Sequence, residues 1–122
     1  SLGSEAVERL AQALSRNMTL KCLDVSDNRF GDEGCAALAG ALESNLFLEE
    51  LRMTGCDVGE EGARVLRDAL AKNKSLQHVA LAGNKVTVAQ WEALTRRAGG
   101  VNAQVDFIPQ AAVSGVSSST LA

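Results

Sequence analysis

Tyrosine is absent from this 122-residue chain, and aromatic residues of any kind make up only 3% of it. Bases and sugars are commonly held by stacking on aromatic faces, so the chain offers them no platform. It also lacks an excess of positive charge. Twelve basic against 15 acidic side chains leave a net charge of −3, which argues against nucleic acid, because phosphate binding draws on a basic patch. No apolar run approaches the length needed to cross a bilayer and no secretory leader opens the sequence, so no membrane partner is expected. Cysteine is scarce and odd in number. Cys22, Cys35 and Cys56 cannot all pair, so three reduced thiols are expected, in a reducing compartment, and the expected location is cytoplasmic. A Gly-rich phosphate loop, an HExxH helix, a CxxC pair and a Ser-His-Asp arrangement are all missing. No catalytic residue, metal ligand or cofactor is therefore assigned, and the chain is not read as an enzyme.

What the chain does have is a period of 28 residues. Leu20, Leu48 and Leu76 share one register, as do Leu23, Leu51 and Val79, and Val25, Met53 and Leu81. The same spacing links Asn17, Asn45 and Asn73, then Asn28, Cys56 and Asn84, then Gly31 and Gly59, then Leu38, Leu66 and Leu94. A repeat of that length marks a solenoid, in which each unit buries its apolar face only against its neighbours.

Within one unit, Leu20 to Phe30 reads LKCLDVSDNRF, Leu48 to Val58 reads LEELRMTGCDV, and Leu76 to Val86 reads LQHVALAGNKV. These segments resemble the leucine-rich repeat pattern LxxLxLxxNxL, with Met, Cys and Val at a few fixed positions. The long second halves, GDEGCAALAGALESN and GEEGARVLRDALAKN, and the Asn/Cys/Asn alternation resemble the ribonuclease-inhibitor-like subclass. The resemblance runs from about Leu2 to Ala98. It implies an α/β fold: a curved βα horseshoe with parallel strands on the concave face and helices on the convex face. Similar repeats occur in ribonuclease inhibitor, NOD-like receptors, tropomodulin-type actin-filament cappers, Ran GTPase-activating proteins and ciliary scaffolds, so the resemblance does not choose a partner.

The residues themselves support that architecture. Leu23 and Val25 alternate with Cys22, Asp24 and Ser26, the period of a strand with one buried face. The Asn or Cys after each strand can satisfy backbone groups of adjacent turns, the thiol as a weaker donor. Cys35, Leu38, Leu42 and Ala63, Leu66, Leu70 give helical stripes. Asp32 is the expected N-cap of the first of these helices. Gly34 and Gly62 are expected where helix and strand pack too closely for a side chain, and Asn17, Asn45 and Asn73 in left-handed turns past each helix. Residues 1–108 are expected to form one domain: a partial first repeat over 2–19, repeats over 20–47, 48–75 and 76–103, and a closing strand over about 101–108. Residues 109–122 read as a flexible tail. In the last repeat Thr87, Gln90 and Trp91 replace two glycines and a small residue, as in a capping unit, with Trp91 buried. The first unit lacks its strand, so the array reads as cut from a longer one or opened by a helical cap. The Leu20–Ser26 strand is then an exposed edge through which the chain could self-associate.

Strand residues that face away from the core line up in columns: Cys22, Glu50, His78; Asp24, Arg52, Ala80; Ser26, Thr54, Ala82. Cys, Glu and His side by side suggest a metal site or a nucleophile–base pair. The spacing argues against both, because Cys22 and His78 stand two strands, about 10 Å, apart. Glu50–His78 and Asp24–Arg52 are expected as exposed cross-strand ion pairs, and Arg52 as an exposed candidate anchor. The leading functional expectation is a protein-interaction module, and Cys22, Asp24, Ser26, Glu50, Arg52, Thr54 and His78 are its candidate binding residues. The partner is an unidentified protein. A structural spacer or capping segment of a larger protein, cytoskeletal, ciliary or NOD-like-receptor in type, is the alternative, with a Ran-type GTPase-activating role behind it.

Overall fold

The computed structural model describes residues 3–97 and 99–107, and the backbone of 120–121. Helix α1 (Ser4–Arg16) is followed by β1 (Cys22–Asp24), α2 (Gly31–Ser44), β2 (Glu50–Arg52), α3 (Glu60–Lys72), β3 (His78–Ala80), α4 (Val88–Arg97), β4 (Gln104–Asp106) and β5 (Thr120–Leu121). All strand pairs are parallel in one sheet of order β4-β3-β2-β1-β5. Cys22 lies opposite Glu50, Glu50 opposite His78, and His78 opposite Gln104. The first two steps are the 28-residue period, and the last is 26 because α4 is shorter than the helices before it.

One layer of side chains holds strands and helices together. Leu23, Leu51 and Val79 from the strands meet Val7, Cys35, Ala63 and Trp91, all at one helix position, and Leu38, Leu66 and Leu94 at another. Trp91 is buried, as its register predicts, and fills at the last unit the site held by Val, Cys and Ala in earlier ones. Burial of these apolar faces is the main driving force for the stack. The free backbone groups at each turn need separate partners.

Two asparagine ladders supply them. Asn84 donates from Nδ2 to the Met53 and Leu81 carbonyls at 2.8 and 3.0 Å, while its Oδ1 accepts from the Cys56 and Val58 N–H groups. Cys56 stands at the same position one unit earlier and its thiol donates to the Val25 carbonyl at 3.2 Å. The second ladder differs from the left-handed turns expected. Asn17, Asn45 and Asn73 are extended, with φ between −77° and −82°. Asn45 donates to the Leu14 and Asn17 carbonyls and accepts from the Phe47 and Leu48 N–H groups. Asn73 repeats this with Leu42, Asn45, Ser75 and Leu76. Each amide therefore caps a carbonyl in the last turn of the preceding helix, which has no acceptor role inside its own helix. Left-handed conformations occur instead at Asp27, Gly55 and Gly83, a third 28-residue column, with φ of 64°, 66° and 72°, and outside it at Gly31, Asp57, Gly99 and Gly100. Glycine adopts that region without strain and Asp tolerates it, so the column is Asp-Gly-Gly.

Helix starts also depart from expectation. Asp32 is not the cap of α2, which begins at Gly31 after Phe30. Its Oδ1 instead accepts from the Gly59 N–H at 2.6 Å, so it caps the start of α3 in the next unit. The glycine at Gly62 follows from this: a Cβ there would lie 2.6 Å from Asp32 Oδ1. At Gly34 the obstruction is the Phe30 ring, so neither glycine is imposed by a strand. At α4, Thr87 and Gln90 form a reciprocal capping box, with the Gln90 N–H donating to Thr87 Oγ1 and the Thr87 N–H to Gln90 Oε1.

At the C-terminal end, β4 is the closing strand, three residues long, within the expected 101–108. At the other end the β1 edge is not bare. Leu23 and Asp24 pair with Thr120 and Leu121, so the premise for edge-to-edge self-association is corrected. An edge of unpaired N–H and C=O groups accepts an extended segment within reach. The rest of the expected tail lies outside the described residues.

Candidate functional site

The sheet face turned away from the helices carries the predicted columns in the predicted register, and β4 extends them by Gln104 and Asp106. Alternation in Gln104-Val105-Asp106 is the signal that would have added both residues to the site. Cys22, Asp24, Ser26, Glu50, Thr54 and His78 are all half-buried there. Arg52 differs: only 8% of its surface is exposed, against the exposed position expected.

Ion pairing explains the difference. Arg52 Nε donates to Glu50 Oε2 at 2.6 Å, along its own strand. Burial works to lower the Arg52 pKa. The hydrogen bond and charge of Glu50, with Cys22 and Asp24 adding to them, outweigh it and hold the guanidinium above its ordinary value. Asp24 does not supply the expected pairing at its carboxylate; its Oδ1 accepts from the Ser26 N–H at 3.0 Å. His78 meets the expected Glu50 and, more closely, a second carboxylate on β4. Its Nε2 lies 3.0 Å from Asp106 Oδ2, and its Nδ1 is 3.8 Å from Glu50 Oε2. The Nε2 position is within hydrogen-bond distance of Asp106, and the Nδ1 contact to Glu50 is longer.

Ser26 Oγ accepts from the Thr54 N–H at 3.0 Å, whereas Thr54 Oγ1 is buried with no hydrogen bond among the described residues. Cys22 lies two strands from His78, whose two nitrogens face carboxylates, so the nucleophile–base arrangement is not formed. Among the described residues no three His, Cys, Asp or Glu side chains converge on a point a metal could occupy. Below the strands an open hollow of about 620 Å³ is lined by Lys21, Cys22, Glu49, Glu50, Gln77 and His78 among others. The face thus joins a buried centre, at Arg52, Ala80 and Ala82, to a half-exposed margin carrying Asp24, Glu50 and Asp106. Its carboxylates outnumber its one permanent cation.

The other two cysteines belong to the core. Burial, with the charge of Asp32 and the nearby Cys56 adding to it, pushes the Cys35 thiol up to about 12. Burial likewise raises Cys56, to about 11, against hydrogen bonds from the Asn28 and Asp27 backbone that lower it. Both are poor nucleophiles in that state. None of the three cysteines forms a disulfide.

A stack of strand–helix units with parallel strands and one polar sheet face defines a repeat protein built for display rather than enclosure. The family profile described as Leucine Rich repeat matches residues 16–39 and 44–66. Those residues therefore carry leucine-rich repeats. No curated protein matches it. Among solved structures it is similar to leiomodin-1 actin-binding site 2, with a TM-score of 0.76 at 16% sequence identity. The match covers 89% of this chain and 65% of that one, so it is a likeness of fold.

Proposed function

We propose that this chain is a protein-interaction module that binds a basic segment of a protein partner across its concave sheet face. The observation that carries the reading is the set Asp24, Glu50, His78 and Asp106, held in two neighbouring cross-strand rows, Glu50 with His78 in one and Asp24 with Asp106 in the other, on a sheet whose opposite face packs on the core. Side chains on such a frame lose little entropy on docking, so modest complementarity yields useful affinity. The excess of carboxylates favours Lys- or Arg-rich segments and repels acidic ones. Arg52 serves as an internal strut that orients Glu50 rather than as an anchor. Three cysteines without a disulfide support a reducing, cytoplasmic setting.

Actin is a reasonable first partner to assay, since the structurally similar region of leiomodin-1 is named as an actin-binding site. Affinity capture from cell extract, with partners identified by mass spectrometry, tests the wider reading. Glu50→Lys with Asp106→Lys should lose the captured partners. Arg64→Glu on α3 is the control, being half-buried on the helical side and, among the described residues, paired with Glu60 and Glu61. Arg67 would mislead as a control, because its guanidinium is largely covered and donates to the Leu94 carbonyl of α4. Capture that survives the double reversal would make the array a spacer instead.

A further inference from the structure

Four large apolar side chains are substantially exposed among the described residues: Met18 (68%), Leu46 (67%), Phe47 (37%) and Val88. Three of them sit together on the loops that lead from helix to strand. Met18 follows α1, and Leu46 and Phe47 follow α2. Met18 and Leu46 are one repeat apart, so they are neighbours along this rim, and with Phe47 and Arg16 they line a hollow of about 410 Å³. The loops are held in place. Asn45 Oδ1 accepts from the Phe47 N–H at 2.9 Å, and Asn17 Oδ1 from the Thr19 N–H at 2.9 Å. Nothing in the core requires large apolar residues here; the third loop carries Lys74 at the position of Met18 and Leu46.

Charge indicates what would fit. Arg16 is the one charged residue lining the hollow, and Lys74, outside its lining, holds the Met18 and Leu46 position one unit further along the rim, roughly 10 Å from Met18 at the spacing of two strands. Neither makes an ion pair with a described residue, whereas Lys21 and Lys72 are already paired with Glu49 and Glu43 at 3.5 and 3.7 Å. The result is an apolar groove with an unspent cation at each end, on the opposite charge balance from the concave face.

We infer that this rim groove is a second docking site, taking a short segment of a partner protein that bears two apolar side chains flanked by Asp or Glu. The apolar side chains fill the hollow between the Met18 and Leu46–Phe47 loops, and the flanking carboxylates meet Arg16 and Lys74. An anionic membrane is a poorer match. Two cations are too few to hold a chain at a lipid surface, where polybasic clusters of several Lys or Arg are used, and a hollow suits inserted side chains better than a flat sheet of headgroups.

Selection of random peptides displayed on phage against the intact chain tests this. Enriched sequences should carry an apolar pair flanked by acidic residues. Synthetic copies should bind at least tenfold more weakly to Leu46→Asp with Phe47→Ser, and to Arg16→Glu with Lys74→Glu. They should bind undiminished to Glu50→Lys with Asp106→Lys, which separates this site from the concave one. All four rim positions are exposed, so unchanged melting temperatures are expected. If the apolar pair fails to fold, the charge pair decides. No enrichment of acidic-apolar sequences, or binding indifferent to both rim variants, overturns the inference. So does binding of the chain to phosphatidylserine vesicles that Arg16→Glu with Lys74→Glu abolishes, or a dimer in sedimentation that Leu46→Asp dissolves.

Discussion

Replacing Asn73 by Ala should cost this chain far more than replacing Asn17, although the two residues share a repeat position. Asn73 is buried, and its amide serves four backbone groups: two carbonyls at 2.8 and 2.9 Å and two N–H groups at 2.8 and 2.7 Å. A made hydrogen bond contributes about 1 kcal/mol net, and a buried group left without one costs about 1–3 kcal/mol. Water reaches some of the four after truncation, so a loss of about 3–5 kcal/mol is expected. That is a large part of the roughly 5–15 kcal/mol that holds an average domain folded. Asn17 is exposed and its Oδ1 accepts from Thr19 and Leu20 N–H groups that solvent can also serve. Asn17→Ala should cost about 1 kcal/mol or less. Asn73→Asp is the sharper variant: it keeps the acceptor but turns a carboxylate toward the Leu42 and Asn45 carbonyls, and should be at least as damaging as Ala. Urea unfolding at constant m-value reads all three. Equal losses at positions 17 and 73, or a mild Asn73→Asp, would refute the view that these amides cap the preceding helix.

Arg52→Glu should destabilise by about 3 kcal/mol, because it sets a second carboxylate beside Glu50 in a largely buried position, whereas Arg52→Met should cost much less; equal melting temperatures for wild type and Arg52→Glu would contradict the strut role. Iodoacetamide at neutral pH, read by intact mass, should label Cys22 alone in the native chain and all three thiols in urea. The same burial has a pH signature. Cys35 and Cys56 titrate higher folded than unfolded, so the stability they add is intact below about pH 9 and falls as pH rises toward about 12 and 11. A Cys35→Ala, Cys56→Ala background should flatten that alkaline loss in melts taken across the range. Gly62→Ala should destabilise by about 1–3 kcal/mol by forcing Asp32 off Gly59. Gly40→Ala, in open space on α2, should stabilise by up to about 1 kcal/mol, so gains at both glycines would sink the Asp32 argument.

The period made the fold readable because every apolar position of a unit is reused in the next. Leu23, Leu51 and Val79 needed no long-range information to be placed on one buried row, and the strand registers followed from a shift of 28. Trp91 was legible for the same reason. Columns broke down where a residue's partner is polar and belongs to a different unit. Asp32 looks like a local N-cap, with the right residue type near a helix start, yet its acceptor lone pairs serve Gly59, 27 residues on. Asn45 looks like a left-handed terminator, yet it reaches back to Leu14, 31 residues earlier.

The candidate site failed to read for a related reason. Column position sets which side chains share a face, but not which neighbour a flexible side chain turns toward. Arg52 had Asp24 beside it across the strand and Glu50 two residues back, and Glu50 takes it at 2.6 Å. His78 had Glu50 on one side and, on the other, a strand outside the regular 28-residue step, whose Asp106 it meets at 3.0 Å. Each choice removes exposed charge from the middle of the face and leaves acidic groups at its margin. The net sign of the surface was therefore fixed by side-chain pairings, one within a unit and one between units, that column position alone does not state. A repeat sequence states its core in every unit and its binding chemistry only in the differences between them, which is why substitutions at Glu50 and Asp106, rather than at Arg52, are the informative ones for partner binding.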